Sequence, residues 1–369
     1  MTDLTFRMGE LFCGPGGMAK GAHNAAESVG VTLQHAWAND YDADTCATYR
    51  HNIIGATDES VIHQDVKELA IEQLSGIDGF AFGFPCNDYS LVGEWRGLDG
   101  KYGPLYSYGV RVLEAHKPRW FVAENVSGLQ SANEGKAFQK ILDELSAAGE
   151  HGYKLYPHLY SFDQYGVPQR RRRIIVVGIR GDLDVDFKVP SPEIYADRPV
   201  TARHALTVPP MTGSMLNHER TRQSSTVVER LDYIAPGENA FNAPGMPDRL
   251  RLKVKGATIS QIYRRLHPDQ PAYTVTGSGG GGTHVYHWDE SRALTNRERA
   301  RLQSFPDDYE FIGQKESVRK QVGMAVPVKG AEAVFTALFN SFKGVGYPSI
   351  APSLGYVPAK CRSDVGGDQ

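Results

Sequence analysis

Short apolar runs alternate with amphipathic, helix-like stretches along the first half of the chain. The apolar runs have the length and composition of β-strands, and they cover residues 7–12, 33–38, 79–84, 120–123, 156–162 and 173–179. Residues 136–148 show helical spacing between two of these runs. This alternation predicts an α/β fold with a parallel, doubly wound sheet. Ligands of such sheets bind at the carboxyl ends of the strands.

The character of the sequence changes after Gly181, where prolines cluster and the strand–helix rhythm stops. We expect a separate, mostly irregular and β domain beyond that point. Helical spacing resumes at residues 294–304, where Thr295 and Glu298 form a capping-box signature, and a last helix is predicted over residues 329–342. The predicted division of the chain is 1–185, 186–288, 289–345 and a loosely ordered tail over 346–369.

Bulk composition is that of an ordinary globular protein, with 41% hydrophobic and 22% charged residues in a chain of 369. Its four cysteines form no Cys-x-x-Cys pair, so no metal site and no disulfide scaffold is expected, and a reducing cytoplasm is the simplest location. Neither a signal-peptide core nor a run apolar enough to cross a bilayer is expected. The net charge of −3 favours a small-molecule enzyme over a nucleic-acid-binding protein, unless basic residues cluster on a local face.

A glycine-rich turn follows the first predicted strand and opens a helix. Gly14, Gly16 and Ala19 satisfy the Gly-x-Gly-x-x-Gly/Ala pattern, and Asp40 follows the second strand. Such turns bring the backbone close to a ligand, and an acidic side chain after the second strand accepts hydrogen bonds from ribose hydroxyls. The motif predicts an adenosine-bearing cofactor, and by itself fits an NAD enzyme equally well. Asp65 is either a further cofactor contact or a helix N-cap.

A cysteine lies in a polar loop directly after a buried strand, in Pro85-Cys86-Asn87-Asp88-Tyr89-Ser90. A thiol at this position is placed to act as a nucleophile, because a positive field or a helix N-terminus nearby lowers its pKa. The alternative is a small buried hydrophobic residue, which describes Cys46 better.

A second strand end carries a carboxylate, Glu124, after the apolar run 120–123. Burying a carboxylate is costly unless it has a partner or a protonated role. Burial would raise its pKa and allow it to donate a proton at neutral pH. The alternative is a carboxylate at the rim of the site, paired with an arginine.

Four consecutive arginines follow Gln169 and lead into a core strand. Strand alternation puts Arg171 and Arg173 on one face and Arg170 and Arg172 on the other. A guanidinium offers a fork of donors suited to a base carbonyl or a carboxylate. A solvated charge run is the ordinary interpretation, and the adjoining core strand makes it weaker here.

In this order, these features resemble those of the DNA (cytosine-5)-methyltransferases, in particular the bacterial type, over residues 6–180 and 290–342. The matching motifs are Phe12…Gly14-x-Gly16, Pro85-Cys86-x-x-x-Ser90, Glu124-Asn125-Val126, Gln169-x-Arg171-x-Arg173, Arg297-Glu298 with Arg301 and Phe305-Pro306, and Gly323-x-Ala325-Val326-Pro327. Each motif is short, and the ordered set is specific. Many members carry Asn where this chain has Met324, which puts one polar cofactor contact in doubt.

The resemblance implies an S-adenosylmethionine-dependent methyltransferase domain with a target-recognition domain over 186–288, acting on carbon 5 of a cytosine in double-stranded DNA. It assigns Cys86 to covalent addition at C6, Glu124 to holding and protonating N3, and Arg173 to binding the cytosine O2. Arg171 would be a further catalytic residue that supports the loop and the developing charge, and the base would be swung out of the helix. It places the cofactor against Phe12, Gly14, Gly16, Gly17, Asp40, Tyr41, Asp65, Val66, Phe84, Pro85, Leu105, Met324 and Val326.

Residues 249–255 alternate basic and apolar side chains and are predicted to form a strand with one basic face. From Asp248 to Asp269, six Lys or Arg residues and two Asp give a local net charge of +4, which suits phosphates. An edge strand guarded by charges is the alternative. The predicted DNA contacts are Ser90, Gln169, Arg249, Arg251, Lys253, Lys255, Arg264 and Arg265. The glycine run at 277–282 is a hinge, a loop near DNA or a plain connector.

Three other functions remain open from the sequence. A related enzyme methylates transfer RNA, but its Cys-Phe-Thr segment is absent here. An inactive DNA-binding relative would not need Cys86, Glu124 and Arg173, and an NAD enzyme leaves the Pro-Cys loop unexplained. Double-stranded DNA is the expected partner, a separate cognate restriction endonuclease is a further candidate, and a monomer in the bacterial cytoplasm, associated with the nucleoid, suffices for the chemistry.

Overall fold

The computed structural model describes residues 4–85, 105–198, 200–252, 261–277, 279 and 282–357. Cys86, Ser90, Lys253 and Lys255 lie outside these ranges. By its internal contacts the chain forms two compact units. The first comprises Met1–Ser161, Arg172–Ile194 and Ala331–Gln369, and the second Phe162–Arg171 and Tyr195–Gly330.

A mixed sheet of seven strands organises the first unit, in the order β3-β2-β1-β4-β5-β7-β6. Its strands are β1 Thr5–Leu11, β2 Thr32–Asp40, β3 Val61–His63, β4 Gly79–Phe82, β5 Trp120–Val126, β6 Tyr153–Ser161 and β7 Arg172–Arg180. Strands β1 to β5 pair in parallel, whereas β7 runs antiparallel to both β5 and β6. The expectation of an all-parallel sheet is therefore wrong at this edge, where β7 returns beside β6.

Helices surround this sheet, and both of its faces are buried. They are α1 Gly17–Val29, α2 Ala43–Asn52, α3 Tyr106–His116, α4 Lys136–Ala147 and α9 Val328–Lys343, the last of which crosses into the first unit at Ala331. On one face Trp120 packs edge-on against Phe6 and Phe335. On the other, Phe121 packs against Phe82 and Tyr153. Aromatic side chains thus fix β5 at the centre of the sheet.

The second unit contains helices α5 Ala202–Thr207, α6 Ser225–Asp232, α7 Asn296–Leu302 and α8 Lys315–Met324. The predicted capping box is confirmed in α7, with both reciprocal bonds between Thr295 and Glu298. In the described part of 195–288, β structure is limited to isolated bridges, so the segment is irregular rather than β. Residues 249–252 lie in a turn and a bend instead of the predicted strand. Residues 289–330 cluster with this unit and not with the first.

The described part of the tail contacts the rest of the first unit as far as Tyr356, in contrast to the expected loose order. Its strand β9 (Ser349–Ile350) pairs with β8 (Val189–Pro190). Beyond it, the backbone N–H of Ser353 donates to His158 Nδ1 at 2.9 Å, and Ser353 Oγ accepts from the backbone N–H of Leu159 at 2.9 Å.

One helical stretch, Lys315–Lys343, has the length and hydropathy of a membrane span, which differs from the sequence-based expectation. Its most apolar window is 78% buried inside the structure, and it comprises α8 and α9 with a break between them. Because buried core helices pass the same test, the stretch is weak support for a membrane span.

Gly178→Ala tests the tight packing at the centre of the sheet. A Cβ at this position would lie 2.0 Å from Phe121 Cε1, so the ring or the strand must shift. We expect a loss of about 1–3 kcal/mol in the free energy of unfolding by urea titration. Gly76→Ala is the control, because a Cβ there meets nothing within 4 Å. Equal stabilities of the two variants would contradict the packing described.

Glu10→Gln tests a carboxyl that is fully buried in β1. Burial raises the pKa of Glu10 from 4.5 to about 8, so between these pH values the folded chain binds a proton that the unfolded chain has lost. The contribution of Glu10 to stability therefore falls as the pH rises through this range. The variant does not ionise there, so its Tm relative to wild type should increase from about pH 5 to about pH 8. Glu114→Gln, at an exposed position of α3, is the control, and a pH-independent difference for Glu10→Gln would contradict this.

Candidate active site

The glycine-rich turn between β1 and α1 has the geometry that its sequence predicts. Gly14 and Gly16 have positive φ angles of 55° and 90°, where a side chain would be strained, and Gly16 is the N-cap of α1. Asp40, the last residue of β2, accepts a hydrogen bond from the backbone N–H of Gly14 at 3.0 Å. A second bond comes from the backbone N–H of Asp42 at 3.1 Å. The carboxylate is therefore fixed beside the turn.

Two acids lie beside this turn, Glu10 fully buried and Asp40 partly buried. Glu10 Oε2 accepts a hydrogen bond from the Tyr49 hydroxyl at 3.1 Å, whereas Glu10 Oε1 is buried and has no hydrogen-bond partner in the described structure. Burial also raises the pKa of Asp40, and it raises that of the Cys13 thiol well above its ordinary value. Cys13 is thus an inert structural thiol. Asp40, at the end of β2 beside the glycine turn, fits a cofactor that carries ribose hydroxyls, as S-adenosylmethionine does.

Glu10 was missed by the sequence analysis. The signal was present, since a charged residue inside an apolar strand, just before a glycine turn, is unexpected unless it has a role.

Four other predicted cofactor residues of the first unit share one large hydrophobic cluster. Val66, Phe84 and Leu105 belong to one buried cluster, on which Phe12 packs. Tyr41 follows Asp40 and is 60% exposed, so its ring is accessible to a ligand. Gly17 begins α1, and Pro85 is partly buried after β4.

Asp65, Met324 and Val326 are the three remaining residues predicted to contact the cofactor. Asp65 caps the short helix Val66–Glu68 by accepting from the backbone N–H of Lys67 at 3.0 Å, so the N-cap alternative holds for one of its oxygens. Met324, 60% exposed, and Val326, buried, lie in the second unit. Their contact with the cofactor stays a prediction.

Glu124 and Arg173 meet where β5 and β7 run side by side. Arg173 Nε lies 2.8 Å from Glu124 Oε1, and each side chain is only 14% exposed. The antiparallel register pairs Val126 with Arg173, which brings the guanidinium level with the carboxylate. A Cβ at Gly83 would lie 3.2 Å from Glu124 Oε2, so this glycine leaves room for the acid. The sequence left two alternatives for Glu124, a protonated acid or a carboxylate paired with an arginine. In the structure its carboxylate is paired with Arg173.

Gln169 and Arg171 have partners inside the second unit. Gln169 is fully buried, with Nε2 donating to Gln303 Oε1 at 2.9 Å and Oε1 accepting from the backbone N–H of Val275 at 2.8 Å. The Arg171 guanidinium, 2% exposed, donates to the carbonyls of Val275 and Gly323. The prediction that Gln169 contacts DNA is therefore wrong, because no part of it reaches solvent. Arg171 holds backbone segments together, which agrees with a supporting role and not with contact to the base.

Gln303 is the member of this network that the sequence analysis did not single out. Its Nε2 donates to the carbonyl of Val322 at 2.7 Å. A glutamine in a polar helix end gives no local signal that it will be fully buried.

The predicted DNA-contacting arginines differ from one another in burial. Arg265 is 6% exposed and donates to the carbonyls of His287, Leu231 and Ile234, so its assignment to DNA is wrong. Arg264 lies over the Tyr273 ring, 5.0 Å from its centroid. By contrast, Arg249 and Arg251 are exposed surface residues, paired with Glu229 and Asp248.

Comparison with known proteins identifies the family. The profile described as C-5 cytosine-specific DNA methylase matches residues 6–340. The type II methyltransferase M.BbvI of Brevibacillus brevis is 59% identical over 356 residues, covering 94% of each chain. M.NgoFVII of Neisseria gonorrhoeae, also named a type II methyltransferase, is 39% identical over 340 residues, covering 90% of this chain and 86% of its own.

Solved structures show the same fold. A DNA modification methyltransferase encoded in an E. coli prophage superposes with a TM-score of 0.68 at 21% identity, covering 91% of this chain and 99% of its own. The S. pombe Dnmt2 methyltransferase gives 0.60 at 17% identity, with the same coverage of both chains. The chain therefore belongs to the C-5 cytosine-specific DNA methylases and is a DNA (cytosine-5-)-methyltransferase that uses S-adenosyl-L-methionine as its methyl donor.

Proposed function

We propose that this enzyme methylates cytosine through a covalent Cys86–C6 adduct, in a specific double-stranded sequence, on a base that has left the helix. The observation that carries the proposal is the largely buried Glu124–Arg173 pair at the carboxyl end of the sheet. The residue before Cys86, Pro85, follows the neighbouring strand β4. An acid, a guanidinium and a thiol thus come from adjacent strand ends, as a reaction on one ring requires.

The thiol adds first. C5 of an aromatic cytosine is a poor nucleophile until C6 is saturated, so the Cys86 thiolate forms a bond to C6. The displaced π electrons move toward N3, and Glu124 Oε2 delivers a proton to that nitrogen, because Glu124 Oε1 is paired with Arg173. Arg173 donates to the cytosine O2. C5 is now nucleophilic. After methylation, solvent water accepts the C5 proton, the C6–S bond breaks to restore the Cys86 thiolate, and N3 returns its proton to Glu124.

In this scheme Asp40 holds the ribose hydroxyls of the cofactor, and Phe12, Val66, Phe84 and Leu105 line the adenine side. Glu10 adds a buried acidic group beneath the turn. When bound, S-adenosyl-L-methionine supplies an electrophilic methyl group on a positive sulfonium. Arg171 acts indirectly by fixing the segment that leads to Arg173.

Access to the ring requires the cytosine to swing out of the stack, at a cost of a few kcal/mol. We propose that the segment 186–288 recognises the target sequence and that phosphates are contacted by Lys253, Lys255, Arg249, Arg251 and Ser90. Because bacterial relatives are named type II methyltransferases, we further propose a modification enzyme of a restriction system, with a cognate endonuclease acting separately. It acts as a monomer in the cytoplasm, on nucleoid DNA.

Cys86→Ser and Glu124→Gln test the covalent scheme on duplex DNA that carries 5-fluorocytosine at the target. Wild-type enzyme should be trapped in a complex that survives denaturation, because fluorine at C5 cannot leave as a proton. Cys86→Ser should form none while binding S-adenosylhomocysteine normally by calorimetry, and Glu124→Gln should trap at least about 100-fold more slowly. Cys46→Ser, a buried thiol elsewhere, is the control. Turnover by Cys86→Ser would refute the nucleophile.

Lys253→Ala with Lys255→Ala tests the phosphate surface. The double variant should bind all duplex sequences more weakly, and the slope of log K against log salt should fall by about 1 to 2. Lys140→Ala, an exposed lysine on α4, should leave the slope unchanged. If the double variant keeps the wild-type slope, these lysines do not contact phosphate.

A further inference from the structure

Arg297 and Arg299 are both buried on α7, but their guanidiniums are paired very differently. All three nitrogens of Arg297 donate to backbone carbonyls, at 2.9, 2.9 and 2.6 Å. Arg299 is 1% exposed, and its Nη2 donates to His284 Nδ1 at 3.2 Å. Its Nε and Nη1 are buried without a hydrogen-bond partner in the described structure. Arg299 is therefore a buried cation with unused donors.

A second guanidinium, that of Arg319 on the neighbouring helix α8, is also weakly held. Its Nε is buried and has no hydrogen-bond partner among the described residues. Its Nη2 donates to the Gly279 carbonyl at 3.5 Å, and its Nη1 lies 3.7 Å from a carboxylate oxygen of Glu316. Both distances are long for a hydrogen bond, although the Arg319 side chain is only 14% exposed. Two helices packed against each other thus each carry a guanidinium with a buried, unused N–H group.

Arg299 keeps its charge at neutral pH, and His284 is neutral. Burial and repulsion from Arg319 lower the pKa of Arg299 to about 10. Burial and both arginines lower the pKa of His284 to about 4. Because an arginine side chain has only donors, Nδ1 of His284 is the unprotonated nitrogen, and Nε2 carries the ring proton. The three side chains together offer N–H donors and two positive charges.

Carboxylates of the described residues do not neutralise these two charges. Both oxygens of Glu298, the residue before Arg299, are bound by Arg292 at 2.7 and 2.8 Å. Glu316 is 74% exposed, so water solvates it. Lys315 adds positive charge nearby. A buried charge is costly without a partner, because burial removes its solvation. The donors and the charge at this point therefore suit an anion.

We propose that Arg299 and Arg319, with His284 beside them, form a binding site for a phosphate group. A guanidinium presents its donors in a planar fork that matches phosphate oxygens, and a hydrogen bond between charged partners is stronger than one between neutral groups. Arg319 and His284 are partly exposed, so the site opens to solvent on their side. The phosphate group is a phosphodiester of duplex DNA or free inorganic phosphate, which offer similar oxygens.

The first experiment follows thermal unfolding of the full chain in sodium phosphate and in sodium chloride, at equal ionic strength and pH. Phosphate stabilises proteins in general, so every variant is compared with wild type in both salts. The variants are Arg299→Met, with an apolar side chain of similar length, and Arg319→Gln, at a partly exposed position. Arg203→Gln is the control, because it removes an exposed arginine of the same unit that is paired with Asp269. Titration calorimetry with inorganic phosphate gives the Kd of each protein.

We expect phosphate to raise the Tm of wild type by about 2–4 °C more than that of Arg299→Met, because a ligand that binds only the folded chain stabilises it. Arg319→Gln should bind phosphate at least about 10-fold more weakly, and Arg203→Gln should match wild type. In chloride, Arg299→Met should be at least as stable as wild type, since an apolar side chain has no buried charge to desolvate. If Arg299→Met does not fold, Arg319→Gln carries the comparison.

A second experiment distinguishes the two sources of the phosphate group by measuring the affinity for duplex DNA in the same two salts. If the DNA backbone occupies the site, phosphate competes with DNA more strongly than chloride does, and Arg319→Gln lowers the slope of log K against log salt by about 1. If free phosphate occupies the site, the affinity for DNA is equal in both salts, while calorimetry still shows saturable phosphate binding.

Two outcomes overturn the phosphate site. One is an equal response of wild type and both site variants to phosphate, together with an unchanged salt slope for Arg319→Gln. The other is a loss of the phosphate response in Arg203→Gln as well, which would mean that phosphate acts through overall charge. These measurements do not require Cys86 to react, so their failure is distinct from failure of the covalent scheme.

Discussion

The ion pair between Glu124 and Arg173 is the contact on which the rest of the site depends. It exists because β7 turns back and runs antiparallel to β5, so an arginine at the start of one strand lies level with a carboxylate at the end of the other. A carboxylate placed at the end of an apolar strand would otherwise be costly. The pair also leaves one carboxylate oxygen, Oε2, on the side of Gly83, the residue that follows β4.

The centre of the sheet is built to keep this contact in register. Trp120 and Phe121 are consecutive residues of β5 that pack into opposite hydrophobic layers, and the neighbouring strands carry glycines where these rings need space. These packed rings also hold the last residues of β5 in place. Glu124 pairs with Arg173, and Asn125 Nδ2 donates to the carbonyl of Phe84, so the end of this strand carries both contacts.

Buried polar side chains stabilise the second unit through hydrogen bonds to backbone carbonyls. Gln169, Arg171, Gln303 and Arg265 each donate to backbone carbonyls, either at the ends of helices or in the irregular segments between them. In such a unit, long donors substitute for secondary structure. This explains why two residues expected at the DNA surface, Gln169 and Arg265, are structural. The hydrogen-bond donors that suit these side chains to base recognition also bind backbone carbonyls.

The sequence alone determined the features that depend on neighbours along the chain. The strand and helix positions, the glycine turn with Asp40, the capping box at Thr295 and the order of the motifs follow from spacing and from local backbone geometry. Only the tertiary structure decided what each polar side chain meets, since that depends on which segments fold against each other. The antiparallel β7, the pairing of Glu124, the unpartnered oxygen of Glu10 and the burial of Gln169 are all consequences of contacts between residues distant in sequence, which periodicity does not encode.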